Sequence, residues 1–239
     1  MNVLVTGCSR GVGLEICKQF LEKGHTIYGV SRTYTDEFKL LESKYPEKVF
    51  FKSIDLKDVS NIKEIIFKEF IKNISINCFV NNAAIAYDDI ITNVNANNLE
   101  ETYKVNVFSP ILITKYVLRN MILNKVKGNI IHISSVSAHT GYNGLAMYAS
   151  TKGAIEAFSK NTAREWGRYG IRSNVVVPGF MDTDMSSDLS DEQKERIYKR
   201  TSLKKATSIE SVAKTVVFIA SEAALSITGE KIHVDSGTI

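Results

Sequence analysis

Short runs of apolar and β-branched residues alternate along this chain with longer segments in which apolar residues recur at helical spacing. Each short run is almost continuously apolar, which is typical of a strand that is buried on both faces of a sheet. The predicted strands are Val3–Val5, Thr26–Val30, Val49–Ile54, Cys78–Val80, Asn129–Ser134, Ser173–Val177 and Lys231–Val234. The predicted helices lie near 11–23, 35–44, 59–72, 98–124, 147–168 and 208–220.

This order of elements predicts an α/β fold. Strands that alternate with helices form a parallel sheet, and the crossover helices cover both of its faces. We therefore expect a doubly wound, Rossmann-type sheet of about seven strands in a single domain over residues 1–239. Sheets of this kind bind ligands beyond the carboxyl ends of their strands, near the point where the strand order reverses.

One polar segment interrupts the alternation, from Pro178-Gly179 to about Thr201. A long insert after a strand of a parallel sheet favours a lid over the substrate, in particular over residues 180–200. The alternative interpretation is a solvated helical excursion.

Composition limits the classes of function. The net charge of +4 argues against a nucleic-acid partner, although it suits an anionic ligand. Cys8, Cys17 and Cys78 have no metal-ligand spacing, so we expect reduced thiols in the cytoplasm and no metal. The chain opens directly on a strand pattern rather than a signal peptide, and no apolar run approaches the roughly 20 residues that span a bilayer. We therefore expect no membrane partner.

A glycine-rich turn, Thr6 to Gly13, joins the first strand to the first helix. Glycines allow a tight turn and a close approach of the backbone to phosphate, and the helix adds free N–H groups and the positive end of its dipole. The spacing is Gly-x3-Gly-x-Gly rather than the Gly-x-Gly-x-x-Gly of the long-chain dinucleotide fingerprint. The position of the turn after the first strand indicates a dinucleotide-binding site.

Tyr148 and Lys152 are four residues apart in a helical pattern, and Ser135 precedes them by thirteen positions. One helical turn places the phenol and the ammonium on the same face. A phenol has an ordinary pKa near ~10, and a neighbouring ammonium lowers it, which makes proton transfer easier at neutral pH. With the Ser135 hydroxyl beside a substrate carbonyl, the set predicts interconversion of a carbonyl and an alcohol.

Together these motifs resemble the short-chain dehydrogenase/reductase family over essentially the whole chain. The resemblance is carried by Thr6 to Gly13, Asn81-Asn82-Ala83-Ala84, Asn106, Ser135, Tyr148 with Lys152, Pro178-Gly179 with Thr183, and Thr228-Gly229-Glu230 with Asp235-Ser236-Gly237. The stretches Pro178 to Met185 and Leu189 to Gln193 are most similar to its 3-oxoacyl-[acyl-carrier-protein] reductases. The resemblance implies reduction of a 3-oxoacyl thioester to the 3-hydroxyacyl form in fatty acid synthesis.

The same resemblance assigns the site residues. The catalytic set is Asn106, Ser135, Tyr148 and Lys152, in which Asn106 kinks its helix and holds a water that links Lys152 to solvent. The cofactor-binding set is Gly7, Ser9, Arg10, Gly11, Val12, Gly13, Arg32, Asp55, Leu56, Asn82, Ala83, Tyr148, Lys152, Pro178, Gly179 and Thr183. Asp55 and Leu56 are assigned to the adenine, with a helix N-cap or surface carboxylate as the alternative for Asp55. Thr183 is assigned to the nicotinamide carboxamide, with a simple turn threonine as the alternative. Ala84 stands where most relatives have glycine.

The charge at the end of the second strand favours NADP over NAD. An acidic residue there binds the ribose hydroxyls of NAD and repels a 2′-phosphate. Here the strand ends Val30-Ser31-Arg32, and Arg10 of the glycine turn lies on the same side. Two guanidiniums suit a phosphate through charge-assisted hydrogen bonds. The alternative is that both arginines are solvated surface residues.

The sequence specifies the substrate and the partners less closely than it specifies the site residues. A basic patch at the mouth of the site would help an acidic acyl-carrier protein to dock, and the candidates are Lys125, Lys127, Arg168 and Arg172. The alternatives are a reductase of another small ketone, sugar or secondary alcohol, and an NADP-binding scaffold without turnover. The resemblance also implies a homotetramer that pairs the helices near 98–124 and 147–168, with Ile111-Leu112-Ile113 and Phe158 as interface candidates or core residues.

Overall fold

The computed structural model describes residues 1–183 and 190–238 and contains one parallel sheet. Its strands are β1 (Asn2–Thr6), β2 (Thr26–Ser31), β3 (Val49–Ser53), β4 (Cys78–Asn81), β5 (Asn129–Ile133), β6 (Arg172–Pro178) and β7 (Lys231–Val234). They lie in the order β3-β2-β1-β4-β5-β6-β7, and every neighbouring pair is parallel. The predicted α/β class and doubly wound sheet are therefore confirmed, and each strand end lies within one residue of its prediction.

The helices overlap the predicted ones, except for α6, which lies in the polar segment for which a helical excursion was the alternative interpretation. They are α1 (Gly11–Glu22), α2 (Asp36–Lys44), α3 (Ala96–Tyr103), α4 (Ser109–Leu123), α5 (Ala146–Trp166), α6 (Asp191–Arg200) and α7 (Ile209–Ala220). Two further segments, Lys63–Phe70 and Lys104–Phe108, are π-helical. The second of these joins α3 to α4, so the single helix predicted near 98–124 begins earlier and is interrupted in its first half.

Helices cover both faces of the sheet because strand residues alternate in direction. Val3 and Val5 of β1 pack in the cluster that contains Phe20 of α1 and Val216 of α7. Leu4, between them, packs in the opposite cluster with residues of α4 such as Ile113. Ile113 is fully buried, which supports the core interpretation of that interface candidate.

The strand order reverses beside β1, which pairs with β2 on one side and with β4 on the other. The connections that follow the strands on either side of such a point run to opposite faces of the sheet and leave a crevice for a ligand beyond the carboxyl ends. The glycine turn follows β1 at this point. The fold therefore places the predicted dinucleotide site in the crevice.

The polar segment after β6 contains α6, whose amino end carries a capping box between Ser190 and Gln193. The Lys194 ammonium of α6 lies 2.7 Å from the Asp182 carboxylate and ties the helix to the end of β6. Residues 184–189 of the predicted lid, and the motif positions Met185 and Leu189, lie outside the described residues. The lid stays a prediction.

Among the described residues, no helix is both long and apolar enough to cross a membrane. Cys8, Cys17 and Cys78 are free and buried. In the same part of the chain, no group of histidine, cysteine or acidic side chains could hold a metal ion.

Candidate functional site

The glycine turn has no room for side chains at two of its glycines. A methyl group on Gly13 would lie 2.0 Å from the Gly7 carbonyl oxygen, and one on Gly7 would lie 2.8 Å from the Ala83 backbone. Gly11 is different, because it is exposed, has a positive φ of 53° and would meet nothing within 4 Å. The turn is therefore compact on its inner side and open where it leads into α1, which fits a phosphate seated on the helix amino end.

Asn82, at the end of β4, holds the glycine turn in place. Its side-chain amide donates to the carbonyl oxygens of Thr6 at 3.1 Å and Gly7 at 3.0 Å. In return the Thr6 hydroxyl accepts from the backbone N–H groups of Asn82 and Ala83, both at 3.1 Å. The structure thus brings Asn82 and Ala83 against the turn, and Ala84 is accommodated beside them.

The end of β2 lies against the same turn. The hydroxyls of Ser9 and Ser31 are 3.0 Å apart, and Thr35 donates to the Ser9 carbonyl oxygen at 2.6 Å. Arg10 and Arg32 each follow one of the paired serines and are exposed. The serine contact brings together the glycine turn and the strand end that carry the two arginines, and residues 30–34 contain no carboxylate.

Asp55 and Leu56 continue from the end of β3. The Asp55 carboxylate accepts from the backbone N–H of Lys57 at 2.9 Å within a turn, no helix begins there, and the side chain is exposed. Leu56 is buried, and its carbonyl oxygen accepts from the Ser109 hydroxyl. This loop is fixed at the edge of the crevice, and its contact with an adenine ring stays a prediction.

Pro178 and Gly179 end β6 against β7. The Gly179 N–H donates to the Val234 carbonyl oxygen at 3.0 Å, and a methyl group on Gly179 would lie 2.7 Å from the Asp235 backbone. Glycine is therefore required there for close packing. Thr183 ends the described part of this loop and is half-buried.

Ser135 and Tyr148 meet at the carboxyl end of β5. Ser135 caps the short helical turn after β5, and its hydroxyl accepts from the Ser137 hydroxyl at 3.0 Å. Burial raises the pKa of the half-buried Tyr148 phenol well above its usual value, and the Asp88 carboxylate adds to this, while a hydrogen bond with Ser135 acts in the opposite direction. The phenol is therefore protonated at neutral pH and can act as a proton donor.

Lys152 is buried one turn further along α5. Its ammonium donates to the Ile133 carbonyl oxygen at 2.9 Å and lies 5.4 Å from the centroid of the Tyr148 ring. Burial lowers the pKa of Lys152 to about 8, against the attraction of the Glu156 carboxylate. The sequence argument had Lys152 lower the pKa of Tyr148; in the structure burial of the phenol has the largest effect and raises that pKa, and the Lys152 ammonium donates to the Ile133 carbonyl oxygen.

Asn106 lies inside the π-helical segment, where the sequence predicted a local kink. Its side-chain oxygen accepts from the Ile85 N–H and its amide donates to the Ile85 carbonyl oxygen, both at 2.9 Å. The amide also donates to Thr151 of α5 at 3.1 Å. Asn106 therefore connects the loop after β4 to the helix that carries Tyr148 and Lys152.

Sequence reasoning missed Glu156, which is buried on α5 one turn beyond Lys152. Its carboxylate accepts from the Ser134 hydroxyl at 2.6 Å and lies 2.8 Å from His139 Nε2. The four-residue spacing from Lys152 was the available signal. The Ser134 side chain points to Glu156, and His139 contacts the same carboxylate.

His132 is a core histidine that lies between apolar neighbours on β5. Asn81 hydrogen-bonds its Nδ1 at 3.1 Å, and Phe158 packs edge-on against the ring at 5.9 Å. Burial lowers the pKa of His132 to about 3, so the ring is neutral at physiological pH.

The four basic candidates for a docking patch do not lie at the mouth of the site within one chain. Lys125 and Lys127 precede β5, and Arg168 lies in the turn before β6, so all three belong to the amino edge of the sheet. Arg172 is buried there and donates to the carbonyl oxygens of Ile227 at 2.8 Å and Ile219 at 2.6 Å. The expectation was wrong because α5 runs the length of the sheet and separates its two ends.

Comparison with known proteins agrees with this geometry. A family model described as "Enoyl-(Acyl carrier protein) reductase" matches residues 7–238. A 3-oxoacyl-[acyl-carrier-protein] reductase of Aquifex aeolicus is 35% identical over 98% of this chain and 95% of its own length. An L-xylulose reductase of Caenorhabditis elegans is 32% identical over 99% of this chain and 94% of its own length. The chain therefore belongs to the short-chain dehydrogenase/reductase family and is an oxidoreductase.

Solved structures share the fold. A short-chain dehydrogenase/reductase family protein superposes with a TM-score of 0.89 at 25% identity, covering 99% of this chain and 96% of that one. A 4-hydroxyisoleucine dehydrogenase complexed with NADH superposes with a TM-score of 0.92 at 22% identity, covering 99% and 98%. The second likeness concerns the fold alone.

Proposed function

We propose that this protein reduces a 3-oxoacyl thioester carried on acyl-carrier protein to the 3-hydroxyacyl form, with NADPH as the hydride donor. The observation that supports the chemistry most directly is the Tyr148 phenol, protonated, hydrogen-bonded with Ser135 and one turn from a buried lysine. A protonated phenol held beside a second hydroxyl is suited to the reductive direction, in which a carbonyl oxygen must receive a proton.

The residues divide the work. Ser135 donates a hydrogen bond to the substrate carbonyl oxygen as negative charge develops on it, and Tyr148 gives that oxygen its proton. Lys152 binds the nicotinamide ribose hydroxyls, and its charge stabilises the phenolate that Tyr148 becomes. Asn106 fixes the loop after β4 against α5 through Ile85 and Thr151. The reduced dinucleotide supplies the hydride to the carbonyl carbon when it is bound.

The glycine turn, which has no side chains at Gly7 and Gly13, fits the diphosphate of a dinucleotide. The two arginines, Arg10 and Arg32, favour NADPH over NADH. Arg10 and Arg32 are exposed at the end of β2 and can both reach one phosphate. NAD is the less favoured cofactor, because no carboxylate at this strand end can bind the ribose hydroxyls.

The carrier-bound substrate is supported by relatives named for that reaction in several organisms, at 33% identity in Buchnera aphidicola for example. The second candidate is reduction of a small ketone, sugar or other alcohol precursor. It is favoured by the L-xylulose reductase relative and by the position of the four basic candidates at the amino edge of the sheet, away from the site of the same chain.

A homotetramer would reconcile the basic residues with the carrier. A two-fold axis that pairs the long helices of two copies runs those helices antiparallel, and so brings the amino edge of one sheet toward the site of the other. Exposed Phe108 and Ile91, beside Met147 of α5, supply an apolar surface for that pairing. Three buried free thiols support a cytoplasmic location.

The test is the initial rate with NADPH and with NADH, using acetoacetyl attached to carrier protein and the same acyl group on a short thioester. We expect a strong preference for NADPH and for the carrier-bound substrate. Turnover of neither thioester, with tight NADPH binding retained, would contradict the substrate assignment and leave the second candidate. A rate that is equal with both thioesters would remove the carrier protein from the proposal.

A further inference from the structure

Glu156 is the one buried carboxylate that the described part of the structure places beside the catalytic helix face, and the proposed reaction does not use it. Its side chain is 9% exposed, so an unpaired charge there would be costly. Three polar or charged groups from different segments surround the Glu156 carboxylate and stabilise its charge. They are the Ser134 hydroxyl at 2.6 Å, His139 Nε2 at 2.8 Å and the Lys231 ammonium at 3.4 Å.

Each of these contacts joins two parts of the site. Ser134 is bonded covalently to Ser135, so the Ser134–Glu156 hydrogen bond ties the end of β5 to α5 directly behind the hydroxyl that faces Tyr148. His139 fixes the loop that follows Ser135 to the same helix. Lys231 brings β7 to the outer carboxylate oxygen. A single carboxylate therefore joins the end of β5, the loop after Ser135 and β7 to the helix that carries Tyr148 and Lys152.

Glu156 also balances the charge of Lys152. The two residues are one helical turn apart on α5, and the carboxylate opposes the effect of burial on the lysine. The other charged or titratable groups around Glu156 are His139 after β5, Lys231 and His233 of β7, and Lys160 and Glu230, which line the same cavity. His233 packs against the His139 ring, with the ring centroids 4.9 Å apart.

We propose that Glu156 is a positioning residue, which clamps the Ser135 strand end to the catalytic helix and places a carboxylate one helical turn from the Lys152 ammonium. This inference rests on the proposed carbonyl reduction for its kinetic consequences only. Ser134, His139 and Lys231 act through Glu156 and touch neither substrate nor cofactor in this scheme.

The first test compares Glu156→Gln with Glu165→Gln, which makes the same change of charge at an exposed position of the same helix. We expect Glu156→Gln to lower kcat about tenfold with the KM for NADPH changed less than about twofold. The apparent pKa at which kcat/KM declines at high pH should be about one unit lower in this variant, because Lys152 loses its proton more readily without the carboxylate. Glu165→Gln should behave as the wild type in all three respects.

A second variant separates the clamp from the charge. Ser134→Ala removes the hydrogen bond to Glu156 and leaves the carboxylate in place. We therefore expect kcat to fall while the pH at which kcat/KM declines stays unchanged. The titration of Lys152 is then followed by NMR with carbon-13-labelled lysine, assigned through Lys152→Arg. The midpoint should fall by about one unit in Glu156→Gln and stay unchanged in Ser134→Ala and Glu165→Gln.

The outcomes distinguish the two proposals. Wild-type kcat and an unchanged Lys152 midpoint in Glu156→Gln would overturn the role of Glu156 and leave the reductase assignment intact. A wild-type protein that reduces no carbonyl substrate would contradict the reductase assignment, while the NMR titration would still decide whether Glu156 balances the charge of Lys152. A Glu156→Gln variant could also show a lowered kcat with no change in the high-pH decline of kcat/KM or in the Lys152 titration midpoint. That result would overturn the claim that Glu156 balances the charge of Lys152.

Discussion

The glycine turn and the start of α5 lie at the same edge of the sheet, but they are built in different ways. In the turn, side chains are absent where the backbone of Gly7 and Gly13 packs, and neutral amide contacts from Asn82 hold the shape. At the start of α5, charged groups are buried: Lys152 and Glu156 are 5% and 9% exposed. In the proposed function the first region binds the dinucleotide through the shape of its backbone, whereas the second holds buried charged groups at a cost in stability.

Gly13→Ala should break the binding region and produce the largest effect. The new methyl group would lie 2.0 Å from the Gly7 carbonyl oxygen and 2.5 Å from the Asn82 amide, so the turn must distort. We expect dinucleotide affinity to fall about thirtyfold to a hundredfold and the free energy of unfolding to fall by about 2–3 kcal/mol. NADPH fluorescence titration and urea unfolding measure the two effects.

The control for that change is Gly167→Ala, where an added methyl group meets nothing within 4 Å. Its stability and NADPH affinity should match the wild type. Unchanged NADPH binding by Gly13→Ala would show that the turn does not depend on close backbone packing.

Lys152→Met tests whether the start of α5 holds a buried charge at the expense of stability. We expect it to raise the free energy of unfolding while it lowers turnover. The folded pKa of about 8 lies below the ordinary value of 10.5, so the unfolded chain binds a proton that the folded chain has lost between those values. Burial of the Lys152 ammonium therefore destabilises the wild type fully below pH 8, and this destabilisation disappears as the pH rises toward 10.5. Allowing for the lost bond to Ile133, we expect Lys152→Met to gain about 2 kcal/mol at pH 7.

Denaturant unfolding at pH 7 and at pH 10 checks this. The gain in Lys152→Met should shrink at the higher pH. A variant that is less stable than the wild type at pH 7 would mean that the buried ammonium stabilises the fold.

Much of this contrast could be predicted from the sequence, since strand ends, helix faces and the Tyr148–Lys152 spacing are local patterns. The kink at Asn106 was also predicted, and the structure shows it as a π-helical segment. Glu156 could not be assigned, because its partners Ser134, His139 and Lys231 come together only when β5, α5 and β7 are placed. The basic residues were placed at the wrong end for the same reason, since their edge depends on the direction of α5.

Arg32→Ala tests whether charge adds selectivity to the binding region. Removing one of the two guanidiniums at the end of β2 should raise the KM for NADPH about tenfold and leave that for NADH within about twofold. Lys39→Ala, an exposed cation on α2 that pairs with Asp36, is the matched control. Equal losses with both cofactors would contradict recognition of a 2′-phosphate by Arg32.

The pH-dependent part of the effect of His132→Asn should be the smallest change in stability, and it appears only in acid. The folded pKa of about 3 lies below the ordinary 6.5, so stability is present above pH 6.5 and is lost as the pH falls toward 3. Between pH 7 and pH 5.5 the wild type should lose about 1 kcal/mol more than the variant. His233→Asn, at an exposed position of β7, should follow the wild type. Parallel curves for all three proteins in urea would refute a neutral, buried His132.

The most direct test of the account measures both regions in one variant, Tyr148→Phe. Single-turnover reduction of acetoacetyl-carrier protein should slow by about a thousandfold, because phenylalanine has no proton to give. The dissociation constant for NADPH should change less than about twofold, because the glycine turn and the two arginines are untouched. Turnover near the wild-type rate in Tyr148→Phe would contradict the assignment of Tyr148 as the proton donor.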